Sequence, residues 1–249
     1  MIHAIFGTDV YGAVRSVEHT PVVTKFEMIQ GIPIKPLESY FLGRLGKESR
    51  SGVPFIAEQI DREIIGFPCN RINRLSVFAT YVRAVCAILV LISILPLFSL
   101  VVIRLSDPTF NFDSEKQIIA IVLGGVLAGG LLLVFPTYLF TVIVPLRERR
   151  IRHACARVLG IAADPANIKL EIANVMIVQA NEFLRTQQIP DLDAVLCRPK
   201  DHGLQVLDML LVRTRAQIQN DGKSISDEFN TDRLLEAMDL LTNQRREGL

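Results

Sequence analysis

The chain has 249 residues and a net charge of +1, and half of its residues are hydrophobic although 21% are charged. A charge this close to zero gives no general affinity for nucleic acid, so we expect no nucleic-acid partner. The charged residues lie almost entirely outside two long apolar segments, which is typical of a membrane hairpin between polar flanks.

Residues 1–70 are predicted to form a small cytoplasmic β-rich unit. Between residues 22 and 29, Val22, Phe26 and Met28 fall on one face of an alternating pattern that is typical of a half-buried strand. We expect five or six short strands, with a polar turn at 46–52 and a hairpin around Asp61, folded as a small barrel or a curled meander. Such a small unit is marginally stable alone and is expected to lean on the membrane or a partner.

Residues 71–83 are predicted to be an amphipathic juxtamembrane helix. Apolar residues recur there at helical spacing, with Arg71, Arg74 and Arg83 among them. Two interpretations remain open, because the segment fits both a helix lying on the membrane surface and the polar start of one long helix.

Two transmembrane helices are predicted at 84–103 and 118–146. The first segment and residues 118–144 of the second contain no charged residue. A hydrocarbon core of roughly 30 Å needs about 20 apolar helical residues. The alternative, two buried helices of a soluble core, is disfavoured because core helices rarely stay uncharged for so long.

Basic residues crowd the outer ends of this hairpin, whereas the predicted external loop, 104–117, carries an excess of acids. The bias predicts a two-pass protein of the cell (inner) membrane with both termini in the cytoplasm. The cluster after the second segment is read as a topology anchor, with a site for anionic lipid as the alternative. The predicted membrane-surface residues are Arg71, Arg74, Arg83, Arg147, Arg149, Arg150 and Arg152.

Small residues recur at intervals of four along the second segment, which lets another helix approach closely. The favoured interpretation is packing on the first span of the same chain, and the alternative is a seam between two copies of the chain. The predicted helix-packing residues are Ala120, Gly124, Gly125, Ala128 and Gly129.

Residues 147–249 are predicted to form a helical cytoplasmic domain. Its first helix is expected to continue the second span and to end at Gly160, and Asp164 with Pro165 resembles the start of the next. Amphipathic helices are expected at 202–219 and 226–246. The domain is expected to fold by itself and to bind a partner through any apolar face left uncovered.

Candidate catalytic, cofactor and metal sites are weak, and we predict none. The segment 43–49 has the glycines and lysine of a phosphate loop at the wrong spacing, and is read as a strand turn. His153 and Cys155 are two residues apart on a helix and face different sides. Cys197 and His202 lack a group that would orient them as a nucleophile and its base.

The residues Tyr11-Gly12, with the segments 20–26 and 32–40, give the first third of the chain a likeness to known proteins. This part resembles uncharacterised bacterial inner-membrane proteins with two spans, in which a small β-rich unit precedes the hairpin and a variable cytoplasmic tail follows. The resemblance implies architecture and location, and no site. We therefore expect a membrane-anchored interaction or scaffold protein with the lipid bilayer and either a protein partner or a second copy as partners. The alternatives are an accessory subunit of a larger membrane transport or secretion assembly and, third, a membrane-tethered enzyme.

Overall fold

The structure, a computed structural model, describes residues 4–53, 57–106, 114–189, 192–221 and 224–247. These residues form a mixed α+β protein in which a β-sheet comes first and helices follow. Residues 107–113 of the predicted external loop lie outside the described part.

Four strands form a closed barrel at the N-terminal end. Neighbouring strands along the chain are antiparallel, and a parallel pairing of the first and last strands closes the ring. The strands are β1 (Ala4–Val17), β2 (Thr20–Ile29), β3 (Ile32–Val53) and β4 (Ala57–Pro68).

The strands are fewer and longer than the five or six predicted. The expected turn at 46–52 is part of β3, and the expected hairpin around Asp61 is part of β4. The register of β3 against β4 shifts between Leu42 and Arg44 and again between Leu45 and Glu48. Such bulges bend a long strand without ending it, so polar residues and glycines that resemble a turn remain in the sheet.

Two-residue turns join the first three strands. Glu18 and His19 both have positive φ angles, as do Gln30 and Gly31. Two consecutive residues with positive φ angles twist the chain in the sense that suits a tight hairpin. In the β1–β2 turn, both residues with positive φ angles are non-glycine residues.

Two long apolar helices follow the barrel. Helix α1 (Arg74–Ser106) is continuous, so residues 74–83 are the start of one long helix, the second of the two interpretations left open above. It is followed by α2 (Ser114–Val142), and each helix keeps one proline, Pro96 or Pro136, in its interior.

Both helices contain segments long and apolar enough to cross a membrane, namely Arg74–Ser99 and Ile119–Val142, each with a mean hydropathy of 2.4. Only 12% and 6% of their most apolar windows are buried. Neither segment is therefore enclosed by the described protein in the way that a soluble core helix would be.

The predicted continuation of the second span is interrupted. Helix α2 ends at Val142, three residues without helical structure follow, and α3 (Leu146–Leu159) starts directly after Pro145. Gly160 ends α3 with a φ of 70°, as predicted for a left-handed cap. Asp164 and Pro165 open only a short 3₁₀ turn, Pro165–Asn167, before the next helix begins.

The remaining helices lie in the C-terminal part. They are α4 (Leu170–Thr186), α5 (Leu192–Cys197), α6 (Gly203–Asp221) and α7 (Ile225–Glu247). A second 3₁₀ turn, Pro199–Asp201, separates α5 from α6.

One hydrophobic core joins the barrel to the C-terminal helices. Val14 and Phe41 of the barrel belong to the same buried cluster as Ile151 of α3 and Leu207 of α6. An isolated β-bridge between Cys69 and Ile168 crosses the same junction. The predicted β-rich unit and the predicted helical domain therefore share one hydrophobic core.

Candidate functional site

The start of α1 lies directly on the backbone of β1. Gly12 has a φ of 69°, and a Cβ atom at this position would lie 2.2 Å from the carbonyl oxygen of Ser76 and from Oγ1 of Thr80. A side chain here would prevent this close approach. The start of α1 and the barrel are thus in contact without any intervening side chain at Gly12.

Buried hydroxyl groups hold the same contact. Oγ1 of Thr24 lies 2.8 Å from Oγ of Ser39 and donates a hydrogen bond to Oγ of Ser76 at 2.9 Å. The amide of Asn73 donates to Oγ of Ser39 at 2.8 Å, and the side chain of Asn73 caps α1 by accepting from the amide of Ser76. These polar groups form hydrogen bonds with each other. Their burial therefore avoids the free-energy cost of an unpaired donor or acceptor.

Arg152 of α3 is fully buried, with 0% of its side chain exposed. Its guanidinium donates to the carbonyl oxygens of Thr20 at 2.5 Å, Arg15 at 2.5 Å and Ala162 at 2.7 Å. It also lies over the ring of Phe41, 5.1 Å from the centroid. Burial lowers the pKa of Arg152, and the charge of Glu148 opposes that effect.

A cleft of about 760 Å³ opens beside this junction. Its walls come from the barrel, the start of α1, the start of α3, the segment before α4, and α6. The apolar part of the wall is formed by Val22, Phe41, Ile72, Leu75 and Ile151, and the charged part by Arg15, Arg71, Arg74, Arg147, Glu148, Asp164 and Arg215.

Three of the five arginines in the cleft are paired with carboxylates. Arg15 contacts Glu148 at 3.0 Å, and Arg147 contacts both Glu228 and Asp232 of α7. These pairs neutralise most of the positive charge that the sequence places around the cleft.

Arg215 makes the most buried of these pairs. It binds both carboxylate oxygens of Asp164, at 3.0 and 2.7 Å. Burial alone would lower the pKa of Arg215, but the charge and hydrogen bonds of Asp164 outweigh it and raise the pKa.

Arg71 and Arg74 differ in their surroundings from the three paired arginines of the cleft. Both are exposed at the edge of the cleft, and no carboxylate in the described part of the chain pairs with either. Arg74 is the first residue of α1, whose first turn contains no acidic residue. The structure thus brings together three of the predicted membrane-surface residues, Arg71, Arg74 and Arg147, at one cleft.

The other predicted membrane-surface residues lie elsewhere. Arg83 is between the two apolar helices, where it donates to Oγ1 of Thr137 at 3.0 Å. Arg150 pairs with Asp239 at 3.1 Å, and Arg149 is exposed outside the cleft. Arg152 is in the core rather than at a surface, because the barrel carbonyls need a donor there.

The three glycines of the predicted helix-packing set make no close contact with another described helix. A Cβ atom at Gly124, Gly125 or Gly129 would meet nothing within 4 Å, and Ala120 and Ala128 are not buried either. Gly130 is the glycine at the helix contact, since a Cβ there would lie 3.6 Å from Cγ2 of Val90. The alternative, a contact with another helix outside this chain, stays a prediction.

Three of the four cysteines are buried. Among the described residues, no three His, Cys, Asp or Glu side chains come together in a way that would hold a metal ion. Burial raises the pKa of Cys69 to about 12, and burial also raises the pKa of Cys155. Cys197 is exposed, and the former phosphate-loop candidate 43–49 lies within β3.

Sequence reasoning missed Arg15, Asp164 and Arg215 as parts of the cleft. One signal was available, because Arg215 lies four residues after Leu211 and three before Ile218, on the apolar stripe of α6. A charged residue on such a stripe indicates a buried partner. The identity of that partner, Asp164, depends on the tertiary fold.

Comparison of the chain with protein-family models, curated proteins and solved structures finds no match.

Proposed function

We propose that this protein is a membrane-anchored interaction or scaffold protein. Helices α1 and α2 cross the inner membrane, both termini lie in the cytoplasm, and the barrel and C-terminal helices form one body held at the cytoplasmic surface. The contact at Gly12 and the buried hydroxyl groups support this arrangement, because they fix the body directly to the start of α1.

The observation that carries the proposal is an uncovered apolar stripe on α4. Val175 and Val178 lie one turn apart and are 54% and 65% exposed, whereas Ala173, Met176 and Ala180 of the same helix are in the core. Adjacent apolar side chains on one exposed helix face offer a partner a surface that is already free of polar groups to desolvate. The stripe lies outside the apolar helices, so lipid contact within α1 and α2 does not account for it.

Site-specific photo-crosslinking tests this assignment. A photoreactive residue at Val178 is expected to give discrete protein adducts in intact cells, because a partner covers it there. The matched control is Gln179, which is equally on the exposed side of α4 but polar. Equal labelling at both positions, or no adduct at Val178, would contradict a binding role for the stripe.

The proposed orientation rests on the arginine distribution. Single cysteines at Ser106 and Ser226 test it in a chain that carries Cys197→Ser, since Cys197 is the exposed native cysteine among the four. Ser106→Cys is expected to react with a membrane-impermeant reagent in intact cells and Ser226→Cys is not. The reverse labelling would overturn the orientation and leave the binding role of α4 to be judged separately.

A second candidate function, an accessory subunit of a larger membrane assembly, is favoured by the open side of α2. Gly124, Gly125 and Gly129 leave space for another helix within the apolar segment. A polytopic complex that co-purifies with the intact protein after crosslinking in the membrane would favour this candidate over the scaffold.

A further inference from the structure

We propose that the mouth of the cleft, formed by Arg71 and Arg74, binds a phosphate group. Two sources have the required chemistry, the headgroup of an anionic lipid and a free phosphate compound. The proposal goes beyond the interaction role assigned to α4, since it concerns a different surface and stands without any partner on that helix.

The charge in the cleft is the first argument. Five arginines and two acids line the cleft. Arg15 pairs with Glu148 and Arg215 with Asp164, while Arg147 reaches out to Glu228 and Asp232. The two positive charges that remain in the lining are those of Arg71 and Arg74, and both side chains are exposed.

The chemistry of the guanidinium group is the second argument. Each guanidinium presents a planar set of N–H donors that matches two oxygens of a phosphate. A phosphate monoester carries about 1.5 to 2 negative charges at neutral pH, which two free arginines balance. A carboxylate carries one negative charge and would balance only one of the two arginines.

The position of the cleft is the third argument. Pro145 and Arg147, directly after α2, line it together with the residues that start α1. The mouth therefore lies where both apolar helices leave their apolar segments. Lipid phosphates and phosphates dissolved in the cytoplasm both reach this level if the helices cross the membrane.

Ordinary surface arginines are solvated and bind nothing in particular. Arg71 and Arg74 differ because they border a cavity whose inner arginines are already fixed by carboxylates. Those pairs leave Arg71 and Arg74 as the guanidinium groups of the cleft that a phosphate can engage without displacing a carboxylate.

Binding to the full-length protein tests the proposal in two arms. In the first arm, the protein in phosphatidylcholine nanodiscs is titrated with inorganic phosphate by calorimetry. In the second, native mass spectrometry counts the phosphatidic acid retained by protein taken from micelles of phosphatidylcholine and phosphatidic acid. The wild type is expected to bind in at least one arm, which identifies the source of the phosphate.

The variant Arg71→Gln/Arg74→Gln is expected to weaken that binding roughly tenfold or more, because each arginine lost removes charge-assisted hydrogen bonds. The matched control is Arg44→Gln/Arg149→Gln, which removes the same charge from exposed residues outside the cleft and is expected to bind as the wild type does. If the first variant has a lowered melting temperature, Arg71→Gln and Arg74→Gln are tested singly.

Loss of binding in the cleft variant alone supports the site, whichever arm shows it. Equal weakening in both variants would mean general charge attraction and would overturn the proposal. Absence of wild-type binding in both arms would overturn it as well, and neither result would bear on crosslinking at Val178.

Discussion

The buried guanidinium of Arg152 donates to the carbonyl oxygen of Thr20 at 2.5 Å, so α3 holds the turn between β1 and β2. The same group reaches the carbonyl of Arg15, a residue with a positive φ of 49° in this hairpin. One side chain thus supplies the donors that an irregular stretch of the barrel lacks. It also links that stretch to the C-terminal helices.

Arg152→Met is therefore expected to lower the free energy of unfolding by about 3 kcal/mol or more. The apolar side chain keeps the volume but leaves buried carbonyl oxygens without donors. Thermal unfolding of the detergent-solubilised protein measures the loss. Arg149→Met, on the exposed side of the same helix, is the control and should stay within about 0.5 kcal/mol of the wild type.

Gly12→Ala is expected to separate α1 from the barrel, at a cost of roughly 2–4 kcal/mol, because the new Cβ atom would overlap the backbone of Ser76. Gly31→Ala is a matched control. It has a similar φ of 77° but nothing within 4 Å, so only the backbone penalty of about 1 kcal/mol remains. Equal losses of melting temperature in the two variants would contradict a close contact at Gly12.

Within the hairpin, Gly130→Leu is expected to destabilise the detergent-solubilised monomer by roughly 1–3 kcal/mol, since the side chain would extend into Val90 and α1. Gly125→Leu faces open space and should leave the monomer unchanged. Melting curves of the monomer distinguish the two positions. A larger loss for Gly125→Leu would mean that the two helices pack through a different face.

Cysteine reactivity reports on the core without any mutation. At pH 8, burial and the pKa of about 12 keep Cys69 protonated and inaccessible, and Cys155 is likewise buried with a raised pKa. A maleimide is therefore expected to modify Cys197 quickly and the other three cysteines only after unfolding. Mass spectrometry of the peptides locates the adducts, and rapid modification of Cys69 or Cys155 would contradict the packing of this junction.

The sequence predicted those features that depend on local pattern. The two uncharged segments indicate the two apolar helices, and Gly160 ends α3 because a left-handed cap needs no Cβ. The alternation at 22–29 lies within β2. Each of these features depends on residues close together along the chain.

The rest depends on contacts between distant segments. A turn was expected at 46–52 because its residues are polar, yet pairing with β4 keeps them in β3. Arg152 looks like its neighbours Arg149 and Arg150 in sequence, and only the position of the barrel decides that it is buried. The glycines of α2 carry a packing signal, but which of them meets α1 depends on how the two helices are rotated.

The claim that the barrel and the C-terminal helices form one body is tested most directly by native-state hydrogen exchange. The full-length protein in nanodiscs is exchanged at increasing denaturant, and peptides from β2 and α6 are followed by mass spectrometry. Because the two elements belong to one core, they are expected to lose protection together and with the same dependence on denaturant. Exchange of β2 at lower denaturant, with α6 still protected, would contradict the shared core.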